Sequence, residues 1–218
     1  CALPIYPRMK NILAIGAHPD DIEFGCFGTL KKFRDVGRNI TLLIMTASDV
    51  IHSQTGAKIR TREQSIREAE EAARLIDAET IILDYQDGEI PFSHSTVHDI
   101  ERILKKKNID TVFTHWGGDT HQDHVNTLDA TLAASRMVNN VLCYEQVPLP
   151  RVCATYPVAN FFIDITATID CKIDASSRHI SQVEKYDAIG IDIIDNLKTL
   201  ARFRGIQIER PYAEAFNV

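Results

Sequence analysis

Two short polar clusters contain the residue types that bind and activate a divalent metal ion. The first spans residues 17–23 and reads AHPDDIE, and the second spans residues 115–124 and reads HWGGDTHQDH. Imidazole nitrogens and carboxylate oxygens suit zinc and similar divalent ions. Three protein ligands would leave one position open for water, as in catalytic sites, whereas four would close it. The clusters therefore predict a metal-dependent hydrolytic site.

These clusters hold more ionisable groups than a metal ion needs. Asp20, next to Asp21, can act as a general base toward water, whose pKa a bound metal lowers to about 7. His121 can act as an acid or stabilise an oxyanion. Asp123 can orient His121 or a ligand imidazole through a hydrogen bond to the ring nitrogen that does not bind the metal. Paired aspartates also cap helices, but capping does not explain histidines in both clusters.

Alternating strands and helices are expected to place both clusters at one edge of a sheet. Apolar runs predict strands at 11–16, 40–45, 80–83, 111–114, 141–144 and 161–165, with helices at 24–36, 61–76, 95–107 and 125–138. This alternation predicts an α/β fold, a Rossmann-like three-layer sandwich with a mostly parallel sheet. In the doubly wound order the first and fourth strands are neighbours, and ligands bind beyond their carboxyl ends. Both clusters directly follow these two strands.

The rest of the chain adds no second functional region to this picture. Residues 169–204 are predicted to form additional C-terminal helices, and residues 211–218 a short tail. We expect one domain over residues 1–218, with residues 1–8 as a loose arm. The five cysteines include no CxxC pair, which argues against disulfides and thiolate zinc sites.

Composition excludes several classes of partner. The formal net charge of −6 makes nucleic-acid binding unfavourable. No apolar run approaches the roughly 20 residues needed to cross a bilayer, and no signal peptide is recognisable at the start. We therefore expect a cytoplasmic protein that contacts neither nucleic acid nor membrane.

The two motifs resemble the signatures of the PIG-L/LmbE-like family of zinc-dependent N-deacetylases. Those signatures, AHPDD followed by E and then HxDH, occur here at residues 17–21 with Glu23 and at residues 121–124. Looser similarity extends over residues 11–144. Together the two motifs are specific, although either alone would be weak. The resemblance implies a Rossmann-like fold and hydrolysis of an N-acetyl group.

Carried over position by position, the resemblance implies a role for each motif residue. His18, Asp21 and His124 become the metal ligands. Asp20 becomes the general base, and His121 the acid or oxyanion stabiliser. The implied cofactor is Zn²⁺, with Fe²⁺ or Co²⁺ as alternatives. The implied partner is a small N-acetylated amino sugar, free or attached to a larger group, and homo-oligomers also occur among similar proteins.

Substrate contacts are less sharply indicated. Members of the family usually carry an arginine after the second strand that contacts the substrate. Arg60, Arg62 and Arg67 compete for that role, and Arg60 fits the spacing best. Three further candidates lie in loops near the same rim of the sheet: His115, Trp116 and Glu145.

Two other function classes compete with the deacetylase interpretation. One is a different metal-dependent hydrolase that cleaves an amide or a phosphoester. Two-metal phosphoryl chemistry usually uses more carboxylates than these clusters provide. The other is a nucleotide-binding module without catalysis, but Gly16, Gly25 and Gly28 do not form a GxGxxG motif.

Overall fold

The computed structural model describes residues 9–47, 49–51, 58–147 and 158–218. The loose arm predicted at residues 1–8 lies outside these described residues. Residues 48 and 52–57, in the segment between the second predicted strand and the next predicted helix, also lie outside them.

The described residues form nine strands and eight helices. The strands are β1 (Asn11–Gly16), β2 (Asn39–Ile44), β3 (Val50–Ile51), β4 (Lys58–Arg60), β5 (Glu79–Ile82), β6 (Thr111–His115), β7 (Asn140–Tyr144), β8 (Phe161–Asp164) and β9 (Ala213–Asn217). The helices are α1 (Asp21–Gly25), α2 (Phe27–Asp35), α3 (Arg62–Arg74), α4 (His94–Lys107), α5 (Gln122–Ala134), α6 (Ile169–Arg178), α7 (Ile180–Asp187) and α8 (Ile193–Ile206). None of the described helices is long and apolar enough to cross a bilayer.

A seven-stranded sheet runs through the middle of the fold in the order β5-β2-β1-β6-β7-β9-β8. The first five strands in this order are parallel. β1 lies between β2 and β6, so the predicted adjacency of the first and fourth sequence-predicted strands is confirmed. This is the topological switch point, at which the loops after β1 and β6 leave the sheet side by side.

Alternating side chains of β1 explain the three layers. Ile12 and Ala14 belong to one buried cluster that includes residues of α2 and α3. Leu13 and Ile15 belong to a second cluster, on the opposite face, that includes residues of α4 and α5. Because successive side chains of a strand point to opposite faces, one apolar run serves both layers. The predicted three-layer α/β sandwich is therefore confirmed.

The C-terminal third differs from the prediction in two ways. The helical run predicted at residues 169–204 is three helices, separated at His179 and at a turn where Gly190 has a φ of +75°. The predicted tail is instead strand β9, which pairs antiparallel with both β7 and β8. Phe216 of β9 is fully buried and its ring lies 5.3 Å from that of Phe113. This burial fixes the last strand inside the sheet.

A buried ion pair holds β9 against the helices. Both Glu214 and Lys172 are almost fully buried, and their charged groups lie 2.7 Å apart. The carboxylate also accepts the backbone N–H groups of Gly28 at 3.1 Å and Thr29 at 2.7 Å. The Lys172 ammonium donates to the carbonyl of Phe24 at 2.8 Å. The pair thus joins β9 to α1, α2 and α6.

Glu214→Gln tests the importance of this pair. The substitution leaves the Lys172 ammonium buried without its counter-charge, and losing one partner of a buried pair costs about 3–5 kcal/mol. We expect the free energy of unfolding, measured by urea denaturation, to fall by about that amount. Glu70→Gln, at an exposed position of α3, is the control and should change little. Equal stability of the two variants would show that the pair is dispensable.

Candidate metal centre and active site

A tight turn after β1 brings His18 and Asp21 together. The Asp21 carboxylate accepts the backbone N–H of His18 at 2.7 Å, and the Asp21 N–H lies 3.4 Å from the carbonyl of His18. A side chain at Gly16 would place its Cβ 3.0 Å from that of Asp21 and would push against it, so glycine allows the close approach of Asp21. The motif is therefore a compact turn that presents one imidazole and one carboxylate.

The loop after β6 presents two further imidazoles, those of His121 and His124. His121 is the N-cap of α5, and its Nδ1 accepts the backbone N–H of Asp123 at 3.3 Å. One Asp119 carboxylate oxygen accepts the backbone N–H of His121 at 2.9 Å, and the other lies 2.7 Å from Nδ1 of His124. Asp119 therefore fixes the His124 ring so that Nε2 points away from the loop.

The two loops meet at three side chains. His18 Nδ1 lies 3.2 Å from His124 Nε2. Asp21 places one carboxylate oxygen 3.4 Å from His18 Nδ1 and the other 3.4 Å from His124 Nε2. Ligands held about 2.0–2.1 Å from a tetrahedral zinc ion lie about 3.3–3.4 Å from one another. The three side chains therefore bring donors that suit a divalent cation into one cluster, in which each imidazole faces a different oxygen of Asp21.

Other combinations of donors share the same centre. Among the described residues, three groups of histidine and aspartate side chains lie close enough together to hold an ion: His18 with His121 and His124, Asp21 with His115 and His124, and His18 with Asp87 and Asp123. Each group contains His18 or His124. The arrangement therefore centres on these two imidazoles.

The Asp123 carboxylate orients the His18 ring through its Nε2 atom. Its carboxylate lies 3.1 Å from Nε2 of His18, the ring nitrogen opposite the candidate metal position. The same carboxylate accepts the backbone N–H groups of Gly88 at 2.7 Å and Ile90 at 3.1 Å. Asp87 contacts the same His18 nitrogen at 3.0 Å. Of the two roles predicted for Asp123, its side chain is placed to orient a candidate ligand imidazole, whereas only its backbone contacts His121.

Electrostatic coupling shifts the pKa values within the cluster. Burial would lower the pKa of His124, but Asp21 and Asp119 outweigh burial and raise it to about 9. Burial would raise the pKa of Asp21, but His124 and His115 hold it well below its usual range. Burial and His124 lower the pKa of His115 to about 4, so this ring is neutral near pH 7. A cation binding beside Asp21 must therefore displace a proton from His124.

His121 is suited to donate a hydrogen bond into the site. Burial, together with the neighbouring rings of His18 and His124, lowers its pKa, so the ring is neutral. Because Nδ1 accepts the N–H of Asp123, the neutral ring carries its proton on Nε2. Its ring lies edge-on to that of His18, with centroids 4.9 Å apart.

A cavity of about 280 Å³ opens over the cluster. Its walls come from both loops, from β4, from the segment after β7 and from α7. The lining residues are His18, Asp20, Asp21, Arg60, Asp87, Asp119, His121, His124, Gln146, Val147, Gln182, Lys185 and Tyr186. Asp20 is the N-cap residue of α1, but its side chain makes no capping hydrogen bond. Asp20 therefore lines the cavity without using its carboxylate to cap the helix.

The structure separates the three competing arginines. Arg60 lines the cavity. Arg62 forms an ion pair with Asp84 at 3.0 Å, and Arg67 is exposed on α3. Arg60 is therefore the one of the three whose position suits a substrate contact.

The other three residues expected to contact the substrate do not line this cavity. His115 is fully buried beneath the candidate ligands, where its Nε2 accepts the backbone N–H of Ala17 at 3.0 Å. Trp116 is also buried and does not line the described cavity. Glu145 forms a two-point ion pair with Arg204 in a separate cavity. Burial and pairing thus argue against direct substrate contact by these three side chains, contrary to the sequence-based expectation.

Several positions of the site carried only weak sequence signals or none. Asp119 orients His124. The sequence feature that points to Asp119 is its position two residues before His121 in the same loop. Gln146 donates to Asp21 at 2.9 Å. The alternation of side chains past the end of β7 points Gln146 toward Asp21 and its neighbour Glu145 away. The sequence offers Gln182, one turn after His179 on a late helix, as a residue that could reach the pocket, and the structure places it in the cavity wall. Lys185 and Tyr186 carried no local signal, since a polar helix face is usually solvent-exposed.

Comparison with known proteins identifies the family. The model of the PIG-L family, described as GlcNAc-PI de-N-acetylase, matches residues 13–135, which include both loops. The chain belongs to this family of deacetylases. The match ends within the segment that follows α5, so α6 to α8 and the three strands β7, β8 and β9 lie beyond it.

Individual relatives agree with this assignment. The chain is 33% identical over 148 residues to the uncharacterised deacetylase YaiS of Escherichia coli K12, a match that covers 63% of this chain and 75% of YaiS. It is 24% identical to the diacetylchitobiose deacetylase of Thermococcus kodakarensis, over 96% of this chain and 83% of that protein. The solved N,N'-diacetylchitobiose deacetylase of Pyrococcus horikoshii, in complex with an inhibitor, is similar with a TM-score of 0.73 and 27% identity, covering 95% of this chain and 83% of that one.

Asp119→Asn should weaken metal binding, because it removes the negative charge that orients His124. Losing such a supporting carboxylate typically costs about 10–100-fold in metal affinity. Competition with a chromophoric chelator measures the change. Asp129→Asn, at an exposed position of α5, is the matched control. An affinity equal to that of the control would exclude a supporting role for Asp119.

Metal affinity should also depend on pH. Since the pKa of His124 is raised to about 9, a cation displaces its proton at any lower pH. Affinity should fall as the pH decreases from about 9 to about 7, by about tenfold per pH unit for each displaced proton. Chelator competition across this range tests the slope, and His98→Gln on α4 should leave it unchanged. A flat profile would contradict the protonation state assigned to His124.

Proposed function

We propose that the protein is a divalent-metal-dependent hydrolase that removes the acetyl group from an N-acetylated amino sugar or a conjugate of one. The observation that carries this proposal is the convergence of His18, Asp21 and His124, with Asp20 lining the same cavity. Relatives named as diacetylchitobiose deacetylases support an N-acetyl sugar as the substrate class.

His18 Nδ1, a carboxylate oxygen of Asp21 and His124 Nε2 would hold the metal ion. Two imidazoles and one carboxylate form a donor set that suits Zn²⁺, and Fe²⁺ and Co²⁺ accept the same donors. When bound, such an ion polarises a carbonyl group and makes water acidic enough to be deprotonated near neutral pH. Asp119 and Asp123 keep the two rings oriented through their opposite nitrogens.

Asp20 is the proposed general base. It directly precedes Asp21, lies at the start of α1 and lines the cavity with an uncapped carboxylate. A carboxylate so placed can take a proton from the attacking water. The hydroxide equivalent then adds to the acetamide carbon and forms a tetrahedral intermediate.

His121 is the proposed partner on the other side of the acetamide. Its Nε2–H can donate to the oxyanion as negative charge develops there. Breaking the C–N bond requires a proton on the departing amine. The proton that Asp20 took from water satisfies this need, because the neutral ring of His121 donates a hydrogen bond but has no spare proton. The products are acetate and a free amino sugar.

We further propose that residues 1–218 act as a single catalytic domain. Strand β9, from the end of the chain, completes the same sheet that carries both loops. Helix α7 lines the same cavity as the two motifs. Removal of the C-terminal segment would therefore open both the sheet and the site.

Asp20→Asn tests the proposed base. The variant should keep its metal, because Asp20 is not among the three proposed ligands. Its turnover should fall on the order of a hundredfold or more, since the amide cannot accept the proton. Acetate release from N-acetylglucosamine, with metal content measured in parallel, provides both readouts.

The control for this variant is Asp170→Asn, at an exposed position of α6. Full activity of Asp20→Asn would remove this residue as the base. Phosphate release from a phosphoester, without acetate release from any N-acetyl sugar, would favour the rival hydrolase class.

A further inference from the structure

We propose that His179 is a positioning residue for the general base: through Glu23 it holds helix α1 so that Asp20, at the start of that helix, keeps its place in the cavity. This inference rests on the proposed deacetylase function, because it concerns the base of that reaction. It assigns a role to Glu23, the last residue of the first polar cluster, which the proposed mechanism does not use.

Helix α1 is too short to hold its own position. It has five residues, Asp21–Gly25, and isolated helices shorter than about 12 residues are only marginally stable in water. Asp20 is joined to it through the first turn, in which the carbonyl of Asp20 accepts the backbone N–H of Phe24 at 3.0 Å. The placement of Asp20 therefore depends on the contacts that α1 makes with the rest of the protein.

Three polar side chains along one face of α6, whose C-cap is His179, contact the second half of α1. Lys172, Ser176 and His179 follow one another at intervals of four and three residues, the spacing of one helix face. The Lys172 ammonium donates to the carbonyl of Phe24 at 2.8 Å. The Ser176 hydroxyl donates to the carbonyl of Glu23 at 3.4 Å. Nε2 of His179 lies 3.3 Å from the Glu23 carboxylate, so α1 is held by both its backbone and a side chain.

The contact between His179 and Glu23 is a buried ion pair. His179 is 0% and Glu23 1% exposed. Burial would lower the pKa of His179, but the carboxylates of Glu23, Asp20 and Glu68, in that order, outweigh burial and raise it. Neither ring nitrogen makes a hydrogen bond of regular geometry with the described residues, so the attraction is mainly one of charge. Protonated His179 therefore attracts both Glu23, within α1, and Asp20, just before it.

The proposed metal ligand Asp21 has supports of its own. Its carboxylate contacts the rings of His18 and His124 and accepts a hydrogen bond from Gln146 at 2.9 Å. Asp20, by contrast, does not use its carboxylate to cap α1. Loosening α1 should therefore displace Asp20 more than Asp21, and it should reduce turnover more than metal affinity.

His179 also connects α1 to one wall of the cavity. It is the N-cap residue of α7. Glu68 of α3 accepts the backbone N–H of Ser181 at 3.2 Å and the Ser181 hydroxyl at 2.7 Å, which fixes the first turn of α7. Gln182, the next residue of that turn, lines the cavity. One buried residue thus contributes to the placement of both the base and this wall.

Turnover and metal affinity, measured on the same variants, test this role in the zinc-loaded, full-length protein. In His179→Gln, kcat for acetate release from N-acetylglucosamine should fall about tenfold or more, since misplacing a catalytic group by about 1 Å can cost about a hundredfold. Zinc affinity, measured by competition with a chromophoric chelator, should stay close to that of the control. The matched control is His98→Gln, at an exposed position of α4, which should retain the wild-type kcat.

The double variant Glu23→Gln/His179→Gln shows whether the two residues act as a unit. Since each substitution alone breaks the pair, the double variant should lose no more kcat than the worse single variant, whereas independent residues would multiply their losses. It leaves no unpaired buried charge, so it replaces His179→Gln in the comparison if that variant does not fold. Wild-type kcat in the folded variant, multiplied losses, or a loss of zinc affinity as large as the loss of kcat would overturn the positioning role while leaving the deacetylase proposal intact.

Crystal structures separate the two proposals if the wild-type protein releases no acetate from any N-acetyl sugar. The zinc-loaded wild-type protein would be compared with zinc-loaded His179→Gln, or with the double variant. A displaced Asp20 carboxylate, with Asp21 in its wild-type position, would support the positioning role even if the proposed function fails. An Asp20 that keeps its wild-type position would overturn it.

Discussion

A single buried carboxylate, that of Asp21, is the point on which the site depends. It is 2% exposed and lies within 3.4 Å of ring nitrogens of His18, His115 and His124. A buried charge is tolerated only when neighbouring groups compensate it. Here the compensation comes from two loops that are far apart in sequence, together with Gln146 from a third segment. Asp21 therefore links the geometry of the sheet to the chemistry of the cavity.

The parallel sheet makes this convergence possible. β1 and β6 run side by side, so both loops leave the same edge at adjacent positions. α1 must then lie very close to the sheet, and Gly25 allows this because a Cβ there would fall 2.2 Å from the Tyr144 ring. The Tyr144 hydroxyl in turn donates to the carbonyl of Ile15 at 2.8 Å. Close packing of α1 against the sheet thus fixes the position of Asp21.

The parallel strands and the two polar clusters of the site could be predicted from the sequence, because short local runs of apolar or polar residues indicate them. The run at residues 11–16 is apolar from Ile12 to Ile15 and ends in glycine, and β1 has the same limits as the predicted strand. The first helix was predicted as one element at 24–36 but is two, α1 and α2, since Cys26 leaves helical geometry with a φ of −140°. Both polar clusters follow strands, and strand order alone was enough to place them together.

What could not be predicted depends on partners distant in sequence. Glu214 argues against a buried strand until Lys172 is known to neutralise it, so β9 was taken for a tail. Glu145 was expected at the substrate rim, but Arg204, 59 residues later, holds it elsewhere. The face of α7 that reaches the cavity is polar, as solvent-facing helix surfaces are. Each of these positions is decided by tertiary contacts that periodicity does not encode.

The most direct test of the account is the position of a bound ion. Anomalous diffraction at the zinc edge, from crystals of the protein prepared with Zn²⁺, would locate it. The account predicts one ion about 2.0–2.2 Å from His18 Nδ1, an Asp21 carboxylate oxygen and His124 Nε2. An ion held instead by the opposite nitrogen of His18 with Asp87 and Asp123, or one that contacts none of the three predicted atoms, would contradict it.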